Sequence, residues 1–148
     1  LTNYCGKWIY HSGWYPDVKI RLFNRKETHW VGDYVHEELK FNAKPSVHHL
    51  QGDLWHFSFD SLEDHLQRVN KYSTLAAQEL ASHPQQFFLA KMLLSPIAKF
   101  LKVYLLQQGF RDGFYGFCIA SISAFDIFIR YAKTIHLIKT GVKSSSPE

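Results

Sequence analysis

The sequence predicts an α+β chain, with part of a sheet at the front and three long, mostly apolar helices behind it. Two observations predict it. Over residues 4 to 10 and again over 18 to 25, aromatic and β-branched residues alternate with polar ones, and Gly13 and Pro16 punctuate between them, as in strands joined by a turn. After residue 60 the apolar residues recur at helical spacing and merge into long apolar runs. A hydrophobic content of 46% over 148 residues suffices for a real core and argues against disorder.

Taken in order, the two front segments read as sheet neighbours, with Lys19 and Arg21 on one face and Ile20 and Leu22 on the other. Residues 27 to 45 alternate weakly around Gly32 and Pro45, predicting a loop with one helical turn over 34 to 39. Residues 46 to 58 read as a strand broken at Gly52. Asp60 or Ser61 caps the first helix, with Glu63 or Asp64 completing a capping box. Its apolar stripe runs through Leu62, Leu66, Val69, Tyr72 or Ser73, Ala76 and Leu80.

A second helix is predicted over residues 86 to 107, kinked near Ser95 because Pro96 lacks a donor and crowds the preceding turn. The third runs over 112 to 139. Its sixteen-residue apolar stretch, 114 to 129, spans about 24 Å, short of a bilayer core of roughly 30 Å. Lys91, Lys99, Lys102, Arg111, Arg130, Lys133 and Lys139 flank these helices, which suits a hairpin lying in a membrane interface; mutual cover or a homo-oligomer partner is the alternative. Residues 141 to 148, GVKSSSPE, read as a disordered tail.

Charge is unevenly shared. Residues 1 to 60 carry seven basic and seven acidic side chains and residues 61 to 148 carry ten and six, so the net +4 sits in the helical half. Without a clustered Lys/Arg stripe or an RNA-binding aromatic motif, nucleic acid is excluded as the partner, and a membrane surface or phosphorylated glycolipid fits better. Cys5 and Cys118 lie far apart without metal spacing, the usage of a reducing compartment. Six of nine histidines fall in the first sixty residues, but none pair at i, i+4 on a helix and no His-x-His occurs, so a zinc hydrolase is a weak reading.

The stretch GDYVHEELKFNAKPSVHHLQGDLWHFSFD, residues 32 to 60, gathers the chemistry. Activating a hydroxyl needs a carboxylate near its proton, and a divalent metal on a diphosphate commonly accepts an imidazole, roles open to Glu37 and His56. A His-Glu pair in a turn also serves as a plain surface hydrogen-bonding pair. The blocks GWYPDVKIRLFNR (13 to 25), HWVGDYVHEEL (29 to 39) and LQGDLWHFSFDSLEDHLQRVNKYSTLAAQEL (50 to 80) resemble, in order, spacing and residue type, the C-terminal half of bacterial family 2 glycosyltransferases. The nearest group is the lipopolysaccharide core β-1,4-glucosyltransferases, and the resemblance covers roughly residues 4 to 135.

That resemblance implies a GT-A catalytic domain whose acceptor-side part is residues 1 to 60, followed by a C-terminal helical region over 61 to 140. It implies transfer of a hexose, glucose from UDP-glucose, with inversion onto the lipopolysaccharide inner core, at the cytoplasmic face of the inner membrane. Glu37 would be the base, with Glu38 as the fallback and His36 orienting the base or the acceptor. Trp14, Tyr15, Arg21 and Trp55 would bind substrate, and His56 would stand on the metal side, with Mg or Mn expected. The family's nucleotide-binding half carries an Asp-x-Asp metal motif; none occurs here, so the chain reads as a piece of a longer enzyme, inactive alone. Arg68 and Tyr72 either reach the acceptor or are ordinary solvated and core-edge side chains. The rival reading is a non-catalytic membrane- or partner-binding module built on the helix hairpin.

Overall fold

The computed structural model describes residues 1–32, 38–82 and 87–141. In chain order the elements are β1 (Thr2–Tyr4), β2 (Lys7–Ile9), β3 (Thr28–Val31), β4 (Glu38–Phe41), β5 (His56–Phe59), α1 (Leu62–Ser82), α2 (Phe88–Leu101), a π-helical turn (Lys102–Leu106), a 3-10 turn (Gly109–Asp112) and α3 (Gly113–Thr140). The α+β class and the three helices are therefore present. By contacts the chain divides into two compact units, one holding Leu1–Pro16 and the chain from Leu54 onward, the other Asp17–Asp53.

In the larger unit the sheet order is β2-β1-β5, with β1 antiparallel to β2 and parallel to β5. The segment expected as one strand over 4 to 10 is instead the turn and second strand of a tight hairpin. Cys5 and Gly6 both take positive φ, 51° and 83°, as a two-residue turn matched to strand twist requires, and only glycine does so without steric cost. The turn is tied down by Asn3 Oδ1, which accepts the Gly6 N–H at 3.0 Å, and by Phe59 O, which accepts the Cys5 N–H at 2.8 Å.

An irregularity in the β1–β5 register pairs Asn3 with Phe57 but Tyr4 with Phe59, leaving Ser58 as the extra residue. Residues two apart on a regular strand share a face, so this bulge is what turns Phe57 outward and Phe59 inward. Phe59, Tyr4 and Trp14 then pack with Ile9 against Val103, Ile119 and Ala120 of the helical hairpin. Trp14 follows Ser12 and Gly13, whose positive φ reverses the chain after β2.

Ser61 Oγ accepts the Asp64 N–H at 3.0 Å, so the expected cap is made. The buried face of α1 is rotated from the expected stripe: His65, Val69, Ser73 and Ala77 are buried, whereas Leu62, Leu66 and Tyr72 are exposed. Aromatic stacking around His65 and the Lys133 ammonium above Ser73 allow polar groups on the inner face. Lys133 Nζ donates to Asn70 O, Asn70 Oδ1, Ser73 Oγ and Thr74 Oγ1 at 2.8 to 2.9 Å, tying α3 to α1, and burial lowers its pKa despite Asp126.

Pro96 lies inside α2 without ending it, and the irregularity falls later, in the π-helical turn. The chain then reverses so tightly that a Cβ at Gly116 would run into the carbonyl of Gly109. α3 has 28 residues, about 42 Å of helix. The segment Gly109–Thr140 is long and apolar enough to cross a membrane by length and composition alone, so the shortfall read from residues 114 to 129 does not hold for the whole helix. It nevertheless packs against both α1 and α2 and carries the Asp126–Arg130 ion pair.

The smaller unit is built on an antiparallel hairpin in which Thr28 pairs with Phe41 and Val31 with Glu38. Glu38 and Leu39 are thus strand residues rather than part of a helical turn. Residues 18 to 25 are not a strand, because among the described residues no ladder partner meets their backbone. Val18, Ile20 and Leu22 are exposed, so the alternation there specifies no buried face. Residues 46 to 55 are likewise irregular, and only His56–Phe59 of the expected broken strand forms.

Candidate acceptor-side site

The sequence-predicted residues are divided between the two units. Trp14, Tyr15, Trp55 and His56 belong to the larger unit, and Arg21 and Glu38 to the smaller. His36 and Glu37 lie outside the described residues.

Trp14 is committed to packing: its ring meets Tyr4 edge-on at 5.4 Å and lies 5.8 Å from Phe59. Tyr15 meets Tyr10 edge-on at 6.0 Å and precedes a cis peptide to Pro16. Arg21 is exposed in the irregular stretch. Glu38 opens β4, exposed, and its Oε2 receives the Lys40 ammonium at 2.9 Å on the same strand face.

Trp55 is 72% exposed and sits 5.7 Å from the Trp8 ring, which also lies 5.5 Å from Phe57, itself 66% exposed. Three aromatic rings therefore share the outer face of the small sheet, put there by strand alternation at Trp8 and by the Ser58 bulge at Phe57. The Trp55 and Phe57 rings are inclined to Trp8 by 48° and 59° and face solvent, an exposed aromatic surface of the kind that takes the apolar face of a sugar ring. Neither Trp8 nor Phe57 was singled out from the sequence, since their convergence depends on the β2-β1-β5 order.

His56 is exposed on the strand beside this cluster, its Nδ1 hydrogen-bonded to Ser58 Oγ at 2.8 Å and its backbone N–H donated to Leu1 O at 2.9 Å. The serine fixes the ring and leaves Nε2 outward. A single imidazole does not make a metal centre, and among the described residues no group of three His, Cys, Asp or Glu is placed to hold an ion. These residues do not by themselves fit a divalent metal.

A shallow cleft of about 220 Å³ opens elsewhere on the larger unit, lined by Phe59, His65, Arg68, Val69, Tyr72 and Asp126. The Arg68 guanidinium lies 4.8 Å over the Phe59 ring and donates to both carboxylate oxygens of Asp64, at 3.0 and 3.1 Å. That bidentate bond raises its pKa further. The Tyr4 hydroxyl and His65 Nδ1 are 2.8 Å apart in a buried setting. Burial pushes the Tyr4 phenol up, so it stays protonated and donates, and His65 accepts as the neutral ring.

Burial lowers the His65 pKa, partly opposed by Asp126 and Asp64 and reinforced by Arg68. A folded pKa below the unfolded one means that the unfolded chain binds the extra proton first, so stability is full above about pH 6.5 and declines as pH falls below it. The melting temperature should drop between pH 7 and 5. Tyr4→Phe leaves the buried Nδ1 without a donor and should cost roughly 1 to 3 kcal/mol in urea unfolding at pH 7.5. A flat pH profile would mean that His65 is not held neutral.

Over 121 residues, 77% of this chain, the sequence is 30% identical to an uncharacterised glycosyltransferase of Rickettsia typhi. The chain is similar to glycosyltransferases. Uncharacterised glycosyltransferases of Rickettsia prowazekii and Rickettsia felis are each 28% identical over 120 residues, 76% of this chain. The chain spans 41% of the R. typhi protein's length, 41% of the R. prowazekii protein's and 42% of the R. felis protein's. No family model and no solved structure matches it.

Proposed function

We propose that this chain is the acceptor-side and C-terminal part of an inverting GT-A glycosyltransferase. It serves transfer of a hexose, glucose from UDP-glucose, to the lipopolysaccharide inner core or a similar cell-envelope glycan at the cytoplasmic face of the inner membrane. The observation that carries the reading is the 30% identity over 121 residues to a protein named as a glycosyltransferase. The family 2 assignment, donor and acceptor rest on the sequence blocks at residues 13 to 25, 29 to 39 and 50 to 80. The exposed Trp55 and Phe57 rings, with the half-buried Trp8 ring between them, support the binding of a sugar.

Inversion is a single in-line displacement. Glu37 takes the proton of the acceptor hydroxyl as that oxygen attacks the anomeric carbon, and the nucleoside diphosphate departs from the opposite face. His36 orients that carboxylate or the acceptor, Glu38 is the reserve base, and the outward Nε2 of His56 meets the leaving diphosphate. The divalent metal, Mg or Mn, belongs with the donor's diphosphate in the complete enzyme and would neutralise its charge there.

The test is transfer of labelled hexose from UDP-glucose to a deacylated core oligosaccharide, using the product of the complete reading frame that contains this chain. Transfer with an inverted anomeric centre is the expected result, and turnover no higher than a denatured control would overturn the reading. The 148-residue chain alone, which has no Asp-x-Asp, should show none.

A further inference from the structure

The second helix is inside out. α2 has no buried residue, and Leu89, Leu93, Leu94, Ile97 and Leu101, all at least 45% exposed, recur at helical spacing on one face. Ala90 and Ala98 complete that face, which carries no polar side chain. Lys91, Ser95 and Lys99 lie on the other side, and Lys102 follows there in the π-helical turn. At the end of the hairpin Phe110 and Phe114 are also exposed. Water is an unfavourable medium for a contiguous apolar surface of this kind.

Charge decides what covers it. Between residues 80 and 111 the chain has no acidic side chain and four basic ones, Lys91, Lys99, Lys102 and Arg111. The next two acids are already engaged inside the fold, Asp112 with the turn at residues 10 to 12 and Asp126 with Arg130. A symmetric pairing of two copies through this face would cover the leucines but give the basic side chains of the segment no acid of that segment to meet. An anionic lipid surface meets both features, since acyl chains accept the leucines and headgroups accept the lysines, whose long stems reach outward. With 14 residues, about 21 Å, α2 is too short to cross a bilayer and long enough to lie along one.

We propose that the outward face of α2 is a lipid-inserting surface that lies flat in the interface of an anionic membrane, held there by Lys91, Lys99, Lys102 and Arg111. This deepens the glycolipid-acceptor reading by giving the chain its own hold on the surface that carries such an acceptor. Vesicle binding is measured without any sugar transfer, so the two readings fail separately.

The experiment is co-sedimentation of the purified protein with vesicles of phosphatidylglycerol and phosphatidylcholine, and with phosphatidylcholine alone. Binding to the anionic vesicles is expected, weakened in 0.5 M salt by about tenfold. The triple variant Leu93→Ser, Leu94→Ser, Ile97→Ser should bind at least tenfold more weakly while keeping the parent's helical circular dichroism. As a second measure that does not depend on that variant's folding, Leu94→Trp should add fluorescence that brominated acyl chains quench. Protein left in the supernatant with both vesicles overturns the proposal. So does a parent that sediments as a dimer dissociated by the triple change, or vesicle binding with Leu94→Trp left unquenched.

Discussion

Asp112→Ala should destabilise the fold strongly, through a turn far away in the chain. The carboxylate is buried, 7% exposed, and lies about a hundred residues from the turn that it holds. Its Oδ1 accepts the Tyr10 N–H at 3.2 Å and lies 3.1 Å from His11 Nδ1, while its Oδ2 accepts the His11 N–H at 3.1 Å and the Ser12 hydroxyl at 2.9 Å. Truncation leaves a buried hydroxyl and two part-buried backbone donors without their acceptor. At about 1 to 3 kcal/mol for each unsatisfied buried group, the expected loss is on the order of 4 kcal/mol. Asp112→Asn keeps one acceptor oxygen and should lose about half as much. Urea unfolding with an unchanged m-value measures it, and a loss under about 1 kcal/mol would show that the turn finds other partners.

The same residue shows where sequence reasoning stops. Asp112 stands at the N-cap position of α3, where an acid is expected, yet it makes no side-chain capping bond and serves the distant turn instead. Nothing in residues 10 to 12 or 109 to 113 advertises that pairing, because it is created by the packing of the hairpin base on the sheet. The Tyr4–His65 pair is hidden for the same reason.

Helices were legible because their signals are local: the Ser61 cap, the period of apolar residues and the glycines at the hairpin turn each act within a few residues. Even there the period misled in detail. On α1 the inner face is His65, Val69, Ser73 and Ala77, with two polar residues admitted by Tyr4 and Lys133. Strands were less legible, since alternation states which face is apolar and says nothing about whether a partner exists. Residues 18 to 25 alternate well and pair with nothing described, while the four residues 28 to 31, weak in pattern, pair fully with β4. Of the candidate site, His56 opens β5 and Trp55 directly precedes it, but the Trp8–Trp55–Phe57 surface needed the sheet order and the bulge. Trp14 shows the converse, an aromatic chosen for sugar stacking whose ring the core uses.

Glu37→Gln should produce the largest catalytic defect, measured in the product of the complete reading frame where donor binds. The change keeps the size and much of the hydrogen-bonding capacity of the side chain and removes the basic carboxylate. A positioned general base contributes about a hundredfold or more to rate, so kcat should fall by at least that factor while affinity for the UDP-sugar hardly moves. The fallback predicts a different pattern. Glu38 is an exposed strand residue whose carboxylate already meets the Lys40 ammonium at 2.9 Å. Glu38→Gln should therefore leave kcat within a fewfold of the parent. His56→Ala should act in a third way, raising the donor KM more than it lowers kcat, because its outward nitrogen is assigned to the leaving diphosphate and its ring is positioned by Ser58. If Glu38→Gln abolishes turnover and Glu37→Gln does not, the base is one residue further on. If neither does, the pair is a surface hydrogen-bonding feature and the proton must leave by another group.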